Sequence, residues 1–102
     1  MAQDKGRLLG QYVEDYAVFD LETTGISWQR DAIIEISAIR VRGHRVSAQY
    51  STLVNPQRHI PAAASRVNHI TDGMVESSPL LAEAMEGFLG FIGDDILVGH
   101  NI

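Results

Sequence analysis

The fold is decided by the stretch Tyr16-Ala-Val-Phe-Asp20-Leu-Glu22-Thr-Thr-Gly25. Its apolar start predicts a β-strand, and because side chains alternate along a strand, Asp20 and Glu22 should share one face about 7 Å apart. Two carboxylates held this close resist joint ionisation unless cations lie between them. Hard divalent ions such as Mg²⁺ and Mn²⁺ prefer oxygen ligands, so the stretch predicts half of a metal site at the end of a buried strand.

Size and charge limit the classes of protein that fit this site. The chain has 102 residues, is 45% hydrophobic and carries a formal net charge of −5, which predicts at most one domain. The acidic balance argues against a binder that neutralises phosphates with a basic surface. An acidic protein can still bind phosphates if its metal ions supply the positive charge.

Several absences in the sequence point to one cellular setting. No run approaches the roughly 20 apolar residues that span a membrane, and the polar start Met1-Ala-Gln lacks the apolar core of a signal peptide. The chain has no Cys, which suits a reducing interior. We therefore expect a cytoplasmic protein with no membrane partner.

The order of the predicted elements indicates an α/β fold. We expect strands at Tyr16–Leu21, Ala32–Val41 and Val46–Val54, then helices, and a last strand at Ile96–Val98. This order predicts an antiparallel three-strand meander, a crossover helix, and a fourth strand parallel to the first. Residues 1–14 read as a tail or weak leading helix, and residues 15–102 as the domain.

Turn and cap residues set the expected boundaries. Gly43 predicts a hairpin turn within Arg42–Arg45. Pro61 is expected to open a short helix to Arg66. A further cap is expected at Thr71-Asp72, and Ser78-Pro79 should cap a longer helix that Gly93 ends near Ile92. The apolar stripe predicted for that helix consists of Leu81, Met85, Phe88, Leu89 and Ile92.

Two further sets of residues have plain structural interpretations. Gly87 and Gly90 should weaken the long helix, by up to about 1 kcal/mol each relative to Ala where exposed. The basic residues around the hairpin read as a solvated edge that deters strand pairing, with a phosphate contact as the alternative: Arg40, Arg42, His44 and Arg45. We also interpret Glu35, on an Ile-rich strand, as a structural hydrogen-bonding group.

Together the motifs resemble one known family. Asp20-x-Glu22-Thr-Thr-Gly25 resembles the first motif of the DEDD superfamily of 3′–5′ exonucleases, in its DnaQ-like group typified by the epsilon subunit of bacterial DNA polymerase III. Ile33–Ile39 resembles the family's second strand, and Leu53–Pro56 the end of its third. Ile60-Pro61 followed by Val67–Thr71 resembles its Ile-Pro … His-Gly-Ile-Thr segment, with Asn68-His69 in place of His-Gly. Leu97–Asn101 resembles the opening of its second motif.

The resemblance implies a ribonuclease H-like fold and a metal-dependent reaction. It implies that Asp20 and Glu22 are catalytic ligands of two Mg²⁺ or Mn²⁺ ions, with a phosphodiester at a nucleic-acid 3′ end as substrate. The implied partners are the 3′ end of single-stranded DNA or RNA and a DNA polymerase subunit. The residues implied to contact the terminal nucleotide are Thr23, Thr24, Gly25, Asn68, His69, Ile70, His100 and Asn101.

The family pattern also implies residues beyond Ile102. Its second motif continues to a metal-binding Asp, and its third supplies a His general base and a fourth carboxylate. We therefore expect the N-terminal part of an exonuclease domain, truncated before the fifth strand and C-terminal helices, inactive alone and prone to self-association.

Other classes fit less well. A phosphatase with an Asp-x-Asp-x-Thr motif would need Asp at position 22, and an actin-like ATPase would need Gly there. The non-enzymatic alternative is a nucleic-acid-binding or assembly module that has an exonuclease-like fold.

Overall fold

The computed structural model describes residues 14–25, 27 and 31–100. Within them lies a four-stranded sheet in the order β3-β2-β1-β4. Strand β1 pairs antiparallel with β2 and parallel with β4, and β2 pairs antiparallel with β3. The elements in chain order are β1 (Tyr16–Thr23), β2 (Ile33–Arg42), β3 (Arg45–Leu53), α1 (Ala62–Asn68), α2 (Asp72–Val75), α3 (Leu81–Ile92) and β4 (Ile96–Gly99).

This topology confirms the predicted meander, crossover and parallel fourth strand. Strand β1 lies inside the sheet and β3 lies at one end of it. The hairpin between β2 and β3 turns on Gly43 and His44, whose φ angles are 57° and 66°. Positive φ at both central residues matches the twist of the flanking strands. Gly93, at φ 54°, ends helix α3 as predicted.

The predicted start and stripe of the long helix are partly wrong. Helix α3 begins at Leu81 with no side-chain cap, and the Ser78 hydroxyl instead donates to the Met74 carbonyl at 3.5 Å. The residues that α3 buries are Ala84, Phe88 and Ile92, whereas Leu89 is 56% exposed and Leu81 44% exposed. Successive helix residues turn by about 100°, so Leu89 flanks the contact face of Phe88, and Leu81 lines a surface groove at the first turn.

One face of the sheet forms the main core. Helix α3 packs across it, and the cluster joins residues of the helix and the strands with Val54, which follows β3: Ala17, Ile36, Ala38, Val54, Ala84, Phe88 and Ile92. Phe19 and Leu21 pack against the same cluster, and the ring of Phe19 meets that of Phe88 edge-on at 5.9 Å. Because side chains alternate, Asp20 and Glu22 point to the opposite face.

A second cluster holds the short helices against the end of the sheet. It consists of Ile34, Ile60, Ile70 and Val75, all at most 4% exposed. Glu22 pairs with Glu35, but Thr23 pairs with Ile33, so β2 has an extra residue at Ile34. Such a bulge re-aims its side chain, and the Ile34 side chain lies in this second cluster.

Gly87 has a packing role that the sequence did not indicate. A Cβ at this position would lie 2.6 Å from the Tyr50 hydroxyl oxygen. That hydroxyl donates to the Ala84 carbonyl at 3.0 Å, and the Tyr50 ring stacks on Phe91 at 5.7 Å. The missing side chain therefore lets β3 approach α3.

The basic residues of β2 are not simply a solvated edge. Arg42 donates to an Asp95 carboxylate oxygen at 2.8 Å, and Arg40 lies 3.7 Å from the other oxygen. The Arg40 guanidinium also lies 4.9 Å from the centre of the Phe91 ring and donates to the Phe91 carbonyl. These contacts tie β2 to the turn that precedes β4.

Two further expectations concern the leading segment and membrane-spanning helices. Of the leading segment 1–14, residues 1–13 lie outside them. No helix within the described part of the chain is long and apolar enough to cross a membrane.

Candidate functional site

Strand β1 carries both predicted metal ligands on the open face of the sheet. Asp20 pairs with Ser37 and Glu22 with Glu35 on β2. Their neighbours Phe19 and Leu21 point into the core, so the two carboxylates share the opposite face, as the sequence predicted. Both residues are partly exposed, which leaves them open to a ligand from solution.

A third carboxylate joins this face from β2. The pKa of Glu35 is raised, first by partial burial and then by the negative charges of Glu22 and Asp20. Within the described residues Glu35 accepts no hydrogen bond, so the interpretation as a structural hydrogen-bonding group finds no support. The β1–β2 register places Glu35 beside Glu22. The sequence does not predict that register, because a loop of unknown path separates the two strands.

The three carboxylates are neighbours but do not converge on a common point. Within residues 14–25, 27 and 31–100, no group of three or more His, Asp or Glu side chains is arranged to hold a metal ion. The donor set nevertheless fits a divalent cation chemically. The negative charges of Glu22 and Asp20, which add to burial in raising the pKa of Glu35, would be balanced by a bound positive charge.

The Thr-Thr-Gly exit of β1 forms a groove with helix α1. The groove has a volume of about 330 Å³ and is lined by Leu21, Glu22, Thr23, Thr24, Gly25, Ala63, Ala64, Val67 and Asn68. The Asn68 side-chain amide donates to the Thr23 carbonyl at 3.4 Å. The groove therefore brings Glu22 together with four of the residues implied to contact a nucleotide.

Gly25 is required by a neighbouring side chain and not by a positive φ. A strand exit often needs glycine for a positive φ, but Gly25 is not among the residues with positive φ. Instead, a Cβ here would lie 2.5 Å from a carboxylate oxygen of Asp31. Sequence reasoning assigned no role to Asp31, because only the folded loop brings it against Gly25.

The other predicted contact residues of the Val67–Thr71 segment are placed apart from the groove. His69 follows α1 with φ 63° and is exposed. Ile70 is 4% exposed and packs in the second cluster. Its backbone N–H donates to the Asn68 side chain at 2.9 Å, so Ile70 supports Asn68 through the backbone.

His100 lies on the open face near Asp20. Both line a shallow depression of about 440 Å³, together with Ser37, Gln49 and Ser51. The His100 backbone N–H donates to the Phe19 carbonyl at 2.9 Å, which continues the β1–β4 pairing. Asn101 lies outside the described residues.

Comparison with known sequences identifies the family. The profile of the RNase T exonuclease family matches residues 17–102. The chain belongs to this exonuclease family. The match begins one residue into β1 and includes every element of the site described above, which confirms the resemblance drawn from the motifs.

Individual relatives place the match within longer proteins. The chain is 42% identical over 86 residues to the DNA polymerase III subunit epsilon of Treponema pallidum, covering 84% of this chain and 40% of that protein. It is 41% identical over 88 residues to the PolC-type DNA polymerase III of Bacillus subtilis, covering 86% of this chain and 6% of that protein. The chain thus spans less than half the length of these relatives.

Solved structures agree with the fold. A structure of exonuclease X in complex with 5′-overhanging duplex DNA superposes with a TM-score of 0.72 at 28% identity, covering 84% of this chain and 48% of that one. Exonuclease I superposes with a TM-score of 0.74 at 17% identity, covering 86% of this chain and 21% of that one. The sheet and helices therefore form the ribonuclease H-like fold predicted from the sequence.

Proposed function

We propose that this chain supplies the first two metal-binding carboxylates and a wall of the nucleotide pocket in a metal-dependent 3′–5′ exonuclease. The observation that carries the proposal is the position of Asp20 and Glu22 on the open face, beside the groove of Thr23–Gly25 and Asn68. Family membership supports it, and so does the occurrence of a similar segment in DNA polymerase III relatives.

Asp20 and Glu22 are the groups proposed to hold the metal ions. Their oxygens suit Mg²⁺ or Mn²⁺, and the proposed number of ions is two. Such a pair of ions, when bound, supplies the charge that activates water and stabilises the leaving oxygen of a phosphodiester. The pKa of Glu35 is raised first by burial and then by these negative charges, and a bound cation would remove the second cause.

The groove is proposed to bind the terminal nucleotide. Thr23 and Thr24 contribute backbone groups and hydroxyl oxygens that can accept hydrogen bonds from a sugar, since their hydroxyl hydrogens are already donated to the Gly25 carbonyl and to Asp31. The Asn68 amide holds the strand exit against α1. His100 borders the depression around Asp20, where the phosphate would lie. Holding the 3′ end in this orientation accelerates reaction because less entropy is lost in the transition state.

The proposed substrate is the 3′ end of single-stranded DNA or RNA. A DNA polymerase subunit is the proposed protein partner and the cytoplasm the proposed location, because the relatives are bacterial DNA polymerase III components. His69, Ile70 and Asn101 remain proposed substrate contacts through the family resemblance alone.

The test is hydrolysis of a 5′-labelled oligonucleotide by the full protein that carries this chain. We expect stepwise shortening from the 3′ end with Mg²⁺ or Mn²⁺, and its loss in Glu22→Gln, because the amide keeps the shape and loses the charge. Glu83→Gln, at an exposed position on α3, is the matched control and should retain activity. Shortening that persists in Glu22→Gln would refute the mechanism.

The second candidate is a non-catalytic nucleic-acid-binding or assembly module with the same fold. The observation that favours it is the absence, within the described residues, of a converging group of three metal-ligating side chains. This candidate predicts binding of 3′ ends without hydrolysis in the full protein. It also predicts that Glu22→Gln leaves the binding unchanged.

A further inference from the structure

The loop between β1 and β2 is closed by one carboxylate, that of Asp31. One of its oxygens accepts a hydrogen bond from the Thr24 hydroxyl at 3.0 Å. The other accepts the Ser27 backbone N–H at 2.8 Å. Asp31 therefore connects the end of the Thr-Thr-Gly exit with the middle of the loop.

Backbone pairing completes the closure on both sides of Asp31. The Asp31 N–H donates to the Ser27 carbonyl at 2.7 Å, and the Thr24 N–H donates to the Ala32 carbonyl at 2.9 Å. The Ala32 N–H in turn donates to the Thr24 hydroxyl oxygen at 2.9 Å. The Thr24 hydroxyl is thus fixed in direction, since it accepts from Ala32 and donates to Asp31.

Gly25 and Asp31 fit together sterically. The carboxylate lies so close to Gly25 that a Cβ there would overlap all its heavy atoms, at 2.5 to 2.9 Å. Real Cβ contacts are not found under 3.0 Å. A side chain at position 25 therefore cannot be accommodated unless the Asp31 carboxylate moves.

The geometry points to Asp31 as a positioning residue of the nucleotide groove. It does not line the groove beside α1, but it accepts a hydrogen bond from Thr24 and lies against Gly25, and both of these residues do line the groove. A hydroxyl and a backbone segment with a single set orientation lose less entropy on binding a sugar than a mobile loop does. The inference rests on the proposed function, because its benefit is affinity for the terminal nucleotide.

The test compares Asp31→Ala with Asp94→Ala in the full protein, with the 3′-end assay above. Asp94 is exposed and forms no hydrogen bond within the described residues, so it is the matched control. We expect Asp31→Ala to raise KM about tenfold or more, the effect of one lost hydrogen bond to a charged group, with a smaller change in kcat. A purely structural role would lower the amount of folded protein and leave KM unchanged.

Two further variants test the route through Thr24 and Gly25. Asp31→Asn keeps one acceptor oxygen and should recover part of the affinity. Asp31→Ala should raise KM less in a Thr24→Val background than in the wild type, because the two residues share a hydrogen bond. Amide exchange at Ser27 and Ala32 should quicken in Asp31→Ala, whether or not the protein is active.

The outcomes separate this inference from the proposed function. A wild-type protein that releases no nucleotide overturns the proposed function, and the inference with it. An active wild type whose Asp31→Ala variant has unchanged KM overturns the inference alone. Equal effects of Asp31→Ala and Asp94→Ala would overturn it as well.

Discussion

Replacing Gly87 with Ala sets helix propensity against packing, and the structure predicts which effect wins. In an exposed helix interior, Gly→Ala gains about 1 kcal/mol. At Gly87 the new Cβ would lie 2.6 Å from the Tyr50 hydroxyl and 3.3 Å from two ring carbons. The Tyr50 side chain cannot easily move, because its ring stacks on Phe91 and its hydroxyl donates to the Ala84 carbonyl.

The opposing costs exceed the gain. Displacing the Tyr50 hydroxyl loses a hydrogen bond worth about 1 kcal/mol, and inserting a methyl group into a packed contact costs about 1–3 kcal/mol. We therefore expect Gly87→Ala to lower the free energy of unfolding by about 1–3 kcal/mol. Gly90→Ala is the matched control on the same helix, since nothing lies within 4 Å of its Cβ, and it should raise stability by about 1 kcal/mol.

Urea denaturation of the wild type and variants measures these differences. The double variant Gly87→Ala/Tyr50→Phe should recover part of the lost stability, because it removes the hydroxyl oxygen that lies closest to the new methyl group. If Gly87→Ala stabilises the protein as much as Gly90→Ala does, the argument from the Tyr50 contact is refuted.

Three other predictions address the site and the surface. Because the pKa of Glu35 is raised in the folded state, its protonated form favours folding, and that stability is lost as pH rises through the raised pKa. At pH 7, Glu35→Gln should therefore raise the free energy of unfolding, measured by urea denaturation, by under about 1 kcal/mol for this partly exposed group. Near pH 4 the variant and the wild type should be equally stable. The same difference in stability at both pH values would show that the charge of Glu35 is not its cause. Residues 1–102 should bind Mn²⁺ weakly in calorimetric titration, and Asp20→Ala should abolish this binding; unchanged binding would place the ion elsewhere. Strand β4 exposes Ile96, Leu97 and Val98 by 39–46%, so the chain should self-associate at micromolar concentration, and a stable monomer in sedimentation would count against this.

The sequence by itself determined the fold class and the positions of the two metal-ligand candidates. Period-two alternation through Phe19, Asp20 and Leu21 separates core from open face without reference to any other element. Turn chemistry was equally local: Gly43 with His44 set the hairpin, and Gly93 ended α3. Local geometry decides such features, so local sequence predicts them.

Only the tertiary structure decided which residues join the site from elsewhere. Glu35 lies opposite Glu22 because of the β1–β2 register and the bulge at Ile34. Neither feature can be predicted from the sequence, because the path of the loop between the two strands is not known from it. The requirement for glycine at positions 25 and 87 also comes from distant partners, the Asp31 carboxylate and the Tyr50 hydroxyl. These contacts depend on how separate segments of the chain pack together. Propensity and periodicity along the chain do not predict which residues come into contact.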